Sequence, residues 1–312
     1  MNTLMLAAAV PVAWGVDRLW GEPPARWHPV VGMGHWLGAV AAPWPDAGRT
    51  QALALGAAVW WLGALLCGGV ACAITLALDT FADRVAAVWA QALAVLLMGL
   101  LLKPLLAWRM LRDEVAAVER ALGDGLPAGR AQLARLVSRD TQTLTDTEVR
   151  ESALESLSEN LNDSLVAPLF WFAVAGLPGA AIYRFANTAD AMWGYRGPWE
   201  WAGKWAARAD DGLSWLPARL SALLIALVAG RWLRGLAAEA RRTPSPNSGW
   251  PMAALALALD VRLSKPGVYT LHLDGQRATS HHVQASLRVC ERAAWLGVVM
   301  ACLALMLAWW LP

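Results

Sequence analysis

Four stretches of this chain gather the residue types that chemistry needs. The richest is Ser138 to Asp163, SRDTQTLTDTEVRESALESLSENLND. Between Asp146 and Asp163 six acids (Asp146, Glu148, Glu151, Glu155, Glu159, Asp163) face one base, Arg150, a net charge of −5. Glu151, Glu155, Glu159 and Asp163 recur at every fourth position, so on a helix they form one slowly drifting face. Like charges four apart repel by about 0.2–0.5 kcal/mol per pair, so the stripe works against its own helix unless a cation answers it. Hard carboxylate oxygens suit Mg²⁺, which takes one or two carboxylates together with substrate phosphates. An arginine partner, or a plain solvated acidic face, accounts for the stripe as well.

The second stretch runs from Asn187 to Arg219. Asn187 and Asp190 sit three apart, and Asp210–Asp211 is an acidic pair just before another apolar run. Arg184, Arg196, Lys204, Arg208 and Arg219 bring five positive charges to the same region. Charges beside membrane segments are costly unless paired or functional, so interfacial ion pairing is the structural alternative. The third stretch is Arg241-Arg242-Thr-Pro-Ser-Pro-Asn247-Ser248, which leads into an apolar helix. Asn247 or Ser248 suits the N-cap and Pro251 the first turn. A helix N-terminus beside arginines binds phosphate, and a capped helix after a basic loop is the plain alternative. The fourth, Asp17 to Gly34, holds Glu22, Arg26 and His28 among prolines and glycines that mark a fixed turn. A single histidine in such a turn is more often structural than catalytic. None of the stretches contains a P-loop, GxSxG, HExxH or GxGxxG site, so spacing alone names no reaction.

The elements that must position these residues belong to a membrane protein. Hydrophobic residues make up 57% of the 312 and charged ones 16%, against about 45–50% and about 25% in soluble domains. Residues 52–78, 85–102 and 293–311 contain no charged residue. About 20 apolar residues in a helix span a bilayer core, and only a helix satisfies its own backbone there. The net charge of +2 argues nothing about nucleic acid, and with no basic tail and no aromatics clustered among Lys and Arg no nucleic-acid partner is expected. Cys67, Cys72, Cys290 and Cys302 match no metal spacing and read as small hydrophobes. Met1 to Val16 lacks the leading positive charge of a signal peptide and reads as a first, retained membrane segment with its N-terminus outside.

Arg18, Arg26 and Arg49, then Lys103, Arg109 and Arg112, place residues 17–51 and 103–163 in the cytoplasm, with a short outer turn at Asp79–Arg84. Trp108, Leu111, Val115, Val118 and Leu122 recur as one face of an amphipathic helix, ended by Gly123, Gly125 and Pro127. A second helix is expected over 130–137. A third should start at Thr145 or Asp146, where Thr145 and Glu148 have capping-box spacing. Residues 164–183 are long enough to span, but Pro168, Gly176, Pro178 and Gly179 point to a broken or re-entrant segment. The fold class expected is all-α and polytopic, with about four to six membrane segments. It reads as a single domain, 1–312, with a helical cytoplasmic insertion at 103–163.

Taken in order, the polar pieces resemble the CobD/CbiB family. They are the D17…GEP…HPV…MG opening, SRDT at 138–141, ESLSENxxDSxxAPLF from 155, AxYRxxNTxDxMxGYR from 181, ARxDD ending at 211 with LPARL at 216–220, and SPNxGWPMAALA from 245. Any one piece is weak, and the ordered set is specific. The resemblance covers most of the chain apart from the apolar runs and is thinnest between Lys265 and His282. It implies an adenosylcobinamide-phosphate synthase of the inner cell membrane, with its site on the cytoplasmic side. Such an enzyme joins the free carboxylate of adenosylcobyric acid to aminopropanol or its phosphate, using ATP and Mg²⁺. On that resemblance Arg139, Asp140, Glu155, Glu159, Asn160, Asn187, Asp190, Arg208 and Arg219 are expected to be catalytic. Asp17, His28, Arg196, Arg241 and Asn247 would bind substrate or phosphate, and Glu159, Asp163, Asp210 and Asp211 would hold the metal. Expected partners are the corrinoid, aminopropanol, membrane lipid and other membrane-bound enzymes of the pathway. An AmpE-like membrane sensor without synthase activity, or a transporter, is the alternative at this stage.

Overall fold

The computed structural model describes residues 2–41, 47–85, 87–195, 197 and 199–310. In chain order the helices are α1 (Thr3–Trp20), α2 (Pro29–Ala41), α3 (Arg49–Val85), α4 (Val88–Leu102), α5 (Trp108–Asp124), α6 (Leu126–Leu133), α7 (Asp146–Leu161), α8 (Ala167–Trp193), α9 (Lys204–Ala229), α10 (Leu236–Ala240) and α11 (Gly249–Leu259). A small antiparallel hairpin, β1 (Leu263–Lys265) with β2 (Tyr269–Leu271), precedes α12 (Ser280–Trp310). Five helical stretches are long and apolar enough to cross a membrane: Arg49–Val85, Val88–Asp124, Asp146–Trp193, Lys204–Ala229 and Ser280–Trp310. The protein is therefore an all-α polytopic membrane protein. The N-terminal apolar segment forms α1, which is not among those five.

The chain divides into two compact units, Met1–Ala107 with Ala167–Leu213 and Val298–Pro312, and Trp108–Val166 with Ser214–Gly297. In the first, α3 packs closely on α8 because α3 is small-faced there. A Cβ on Gly63 would meet the Phe185 ring at 2.1 Å, and one on Gly68 would meet Ile182 at 2.8 Å. Small residues at helix crossings let backbones approach where lipid gives no hydrophobic drive. Leu37, Trp60, Ala64, Phe185, Ala186 and Trp193 form the adjoining core. The turn expected at Asp79–Arg84 is not there: α3 stays helical to Val85. Those residues include no proline or glycine, so nothing local stops the helix. The segment 164–183 is broken as its glycines and prolines imply, with non-helical backbone at Ala175 and Gly176.

In the second unit α7 is the central element. Thr145 and Glu148 make the expected reciprocal capping box. Trp108, Leu111, Val115 and Val118 bury the predicted face of α5. The next helix lies earlier than 130–137, at Leu126–Leu133, because Pro127 suits a first turn and takes the chain into α6 directly after Gly125. Ser248 occupies the N-cap position of α11 but makes no side-chain cap. Ser245 Oγ accepts from the backbone N–H groups of Asn247 and Ser248 instead.

Candidate functional site

The acidic stripe is not a solvated face. Glu151 is 0% and Glu155 1% exposed, and nearly every residue from Val149 to Ser158 is buried. A buried carboxylate needs partners, and the second unit supplies them from outside α7. Arg139, in the loop before the helix, donates from Nη2 to Glu155 Oε2 at 2.7 Å and from Nη1 to Ser152 Oγ at 3.2 Å. Ser264 Oγ donates to Glu151 Oε2, and Arg262 Nη2 stands 3.6 Å from Glu151 Oε1. Glu159 lies next along the helix, under the fields of Asp163, Glu155, Lys265 and Arg139. The phenol of Tyr269 donates to Met252 Sδ at 3.8 Å; burial, then Glu155 and Glu159, hold its pKa above the ordinary tyrosine value. Glu151 Oε1, Glu155 Oε1 and Arg262 Nε are buried with no hydrogen-bond partner among the described residues.

Asp163 sits in a π-helical turn, Asn162–Val166, that closes α7. Such turns are uncommon and cluster at functional sites. Here the widened turn lets Asn162 Nδ2 donate to Asp163 Oδ1 at 2.8 Å while Asn162 Oδ1 accepts from Ser221 Oγ at 3.1 Å. Asn160 turns back on its own helix, donating to the Ser156 carbonyl at 2.9 Å. Asp140 is exposed and accepts from the Gln142 backbone N–H at 2.9 Å, a local turn. Arg219 donates to Asn247 Oδ1 at 3.0 Å and to the Pro246 carbonyl at 3.2 Å. Its guanidinium lies over the Trp215 and Trp250 rings at 4.2 and 4.7 Å. Asn247 thus orients an arginine rather than capping α11. Arg241 is exposed.

The remaining expected residues lie in the first unit. Asn187 Nδ2 donates to Asp210 Oδ1 at 3.4 Å, and Arg184 Nη1 to Asn187 Oδ1 at 3.5 Å. Asp190 is one turn further along α8, Asp211 is half-buried and Arg208 is exposed. Asp17 and His28 join another cluster: Lys103 Nζ stands 3.1 Å from Asp17 Oδ1 and 2.7 Å from Glu22 Oε1, and His28 Nε2 is 3.0 Å from Glu22 Oε2. Arg196 lies outside the described residues. The four expected metal ligands divide between the units, Glu159 and Asp163 in one, Asp210 and Asp211 in the other. Among the described residues no three His, Cys, Asp or Glu side chains form a ready-made metal cage. Within the second unit, Glu155, Glu159 and Asp163 have the chemistry for Mg²⁺ in its usual mode, few carboxylates completed by phosphate and water.

Residues that sequence reasoning passed over are Lys103, Asn162, Arg262, Ser264, Lys265 and Tyr269. Lys103 looked like the flank of a membrane segment. The other signal available was a Lys265-Pro266-Gly267 turn, basic and polar, between two apolar helices.

Comparison with known proteins matches residues 10–310 to the family model described as CobD/Cbib protein. The "Cobalamin biosynthesis protein CobD" of Rhodobacter capsulatus is 41% identical over 84% of this chain and 83% of its own. The "Probable cobalamin biosynthesis protein CobD" of Methanothermobacter thermautotrophicus is 40% identical over 82% and 83%. The protein of that name without "Probable" from Chromobacterium violaceum is 37% identical over 96% and 97%. No solved structure matches the chain.

Proposed function

The chain belongs to the CobD/CbiB family, and from that premise we propose that it acts in cobalamin biosynthesis as an ATP-dependent acid–amine ligase. The acid is the free propionate of adenosylcobyric acid, and the amine is aminopropanol or its phosphate. Carboxylate and amine do not condense in water, because the carboxylate is a poor electrophile and the amine is protonated. ATP supplies the activation: its terminal phosphoryl group converts the carboxylate to an acyl phosphate, and the amine then displaces phosphate to leave the amide.

The observation that carries this reading is the buried Arg139–Glu155 pair beside Glu159. A buried ion pair is weak evidence for stability, since two apolar residues would serve as well. Its presence with a second carboxylate at its side is explained by use. Glu159 and Asp163 would hold Mg²⁺ together with the phosphates, with Glu155 one turn back along α7. A carboxylate of the same group would take the proton that the attacking amine loses. Arg219, clamped between two tryptophans, offers a planar fork for a carboxylate or phosphate. The site is assigned to the cytoplasmic side of the inner membrane, where ATP is available. Cysteine labelling at Asp124 from each side tests that orientation.

The deciding experiment is complementation of a cobinamide-requiring strain deleted for its synthase, with ADP and amide measured in membranes of the rescued strain. Growth without cobinamide, and ADP released in step with amide, is the expected result. A chain that accumulates in the membrane yet restores neither would overturn the ligase reading in favour of a regulator.

A further inference from the structure

The first unit holds a cavity that the acidic cluster of α7 does not use. It measures about 870 Å³ and is walled by α1, α3, α4 and α8, with Val16, Leu66, Val70, Leu100 and Leu177 among its apolar lining. Small side chains make the room. Cys67 and Ala71 line it one turn apart on α3, and Ala181 lines it from α8, just beyond the backbone break at Ala175 and Gly176. Its open side is the surface of a helix long and apolar enough to cross a membrane, where Leu66 and Val70 are exposed.

The turn after α1 borders this cavity. Gly21, at φ 70°, stops the helix, and Pro24, at φ −54° and ψ 141°, holds the next residues extended. Lys103 pins the turn through Glu22 at 2.7 Å, and His28 meets the same carboxylate at 3.0 Å. With those groups turned inward, the turn shows Trp20 and Trp27, each 73% exposed, together with the exposed Arg26. Both tryptophans also line the cavity. The Arg26 guanidinium lies over the Trp27 ring, 5.9 Å from its centre. Tryptophans of a membrane protein sit at headgroup level, so an apolar slot here runs down from a collar that carries a positive charge.

Water suits such a slot badly. About thirty molecules would fill it at about 30 Å³ each, and every one needs 2–4 polar partners. The charged groups on its walls, Glu22 and Lys103, already engage each other. An alkyl chain needs no polar partner, and the bilayer presents alkyl chains to Leu66 and Val70. Arginine in turn binds phosphate, and a glycerophospholipid carries chain and phosphate on one molecule. We propose that this cavity binds one glycerophospholipid, an acyl chain lying between α1, α3, α4 and α8 and the phosphate resting on Arg26. The site does not depend on the reaction that the chain carries out. The turn after α9 makes an internal contrast: Arg231, Trp232 and Arg234 are exposed residues of the same types, but they border only about 290 Å³.

The test is native mass spectrometry of the detergent-solubilised full chain, titrated with dioleoyl phosphatidylglycerol. Dioleoylglycerol, with the same chains and no phosphate, is titrated in parallel. The phospholipid adduct should saturate at one per chain, with dioleoylglycerol about tenfold weaker or more, the worth of a charge-assisted hydrogen bond. Arg26→Ala should bring the phospholipid down to the dioleoylglycerol level, and Arg26→Lys should restore most of the difference. Ala71→Phe and Cys67→Phe each set a ring in the slot and should weaken both lipids. Arg234→Ala should bind as the native chain does. An unchanged melting temperature guards the filled variants against misfolding, and the Arg26 series, on an exposed side chain, decides without them. Adducts that climb without saturating, equal binding of the two lipids, equal loss in Arg234→Ala, or full phospholipid binding by Arg26→Ala overturns the proposal. So does undiminished binding in both filled variants.

Discussion

Each unit buries a cluster of acids around a base, and the two clusters are finished differently. In the first, Lys103 is 2% and Asp17 0% exposed, and the ammonium faces Asp17, Glu22 and the Leu106 carbonyl, one for each of its three donors. His28 closes the far side of Glu22. In the second, Arg139 holds Glu155 and Ser152 and Arg262 stands 3.6 Å from Glu151, but Glu159 lies buried against Asp163 and Glu155, so acids outnumber the bases set against them. A network whose donors are all used holds a turn together. A network in which carboxylates outnumber their cations has room for a further cation. Buried charge by itself does not distinguish structure from function; the balance of acids and bases does.

The largest effect should come from breaking the closed cluster. Lys103→Met leaves Asp17 and Glu22 buried without their cation, which costs about 3–5 kcal/mol. Thermal melting in detergent and the amount of chain in the membrane would both fall sharply, and a variant that melts like the native chain would show the cluster to be dispensable. Glu159→Gln should do the reverse. It removes one charge from three mutually repelling carboxylates, so the melting temperature should hold or rise. Amide formation should drop by about 10²–10⁴-fold, the range for a lost general base or ligand. Loss of stability together with activity would make Glu159 structural.

A smaller effect separates the clusters by pH. Burial pushes the Glu22 carboxyl up, but His28 and Lys103 outweigh it and hold its pKa below the ordinary value. The unfolded chain therefore binds that proton more readily than the folded one. The stabilisation is fully present above the ordinary carboxylate range and is lost as pH falls through the folded pKa. Melting temperature should decline across that acid window, and the decline should be shallower in Glu22→Gln. The smallest effect is Glu148→Gln. Glutamine keeps the reciprocal cap to Thr145, so activity and melting should stay within a few tenths of a kcal/mol of the native chain, which a loss of complementation would contradict.

Local features were legible where the cause was local. The capping box at Thr145 and Glu148 needs only four residues, and it formed where its spacing placed it. The buried face of α5 followed from its period, and the break at Gly176 from the glycines and prolines around it. Errors arose where several local signals competed. Asp79–Arg84 reads as polar enough to turn, yet without a proline or glycine the helix continues. Asn247 reads as a cap, yet a stronger donor, Arg219, captures its side chain.

Composition and hydrophobic runs determined the solvent of this protein, because a backbone in lipid has few ways to satisfy itself. The order of its polar pieces carried its family. Neither could say that Glu151 and Glu155 are buried, since a helix with acids every fourth residue looks the same whether water or protein covers it. That depends on Arg139 and on a hairpin more than 100 residues further on. Only the tertiary structure brings Arg262, Lys265 and Tyr269 onto α7, because electrostatic pairing acts through space and leaves no mark in the spacing of either partner.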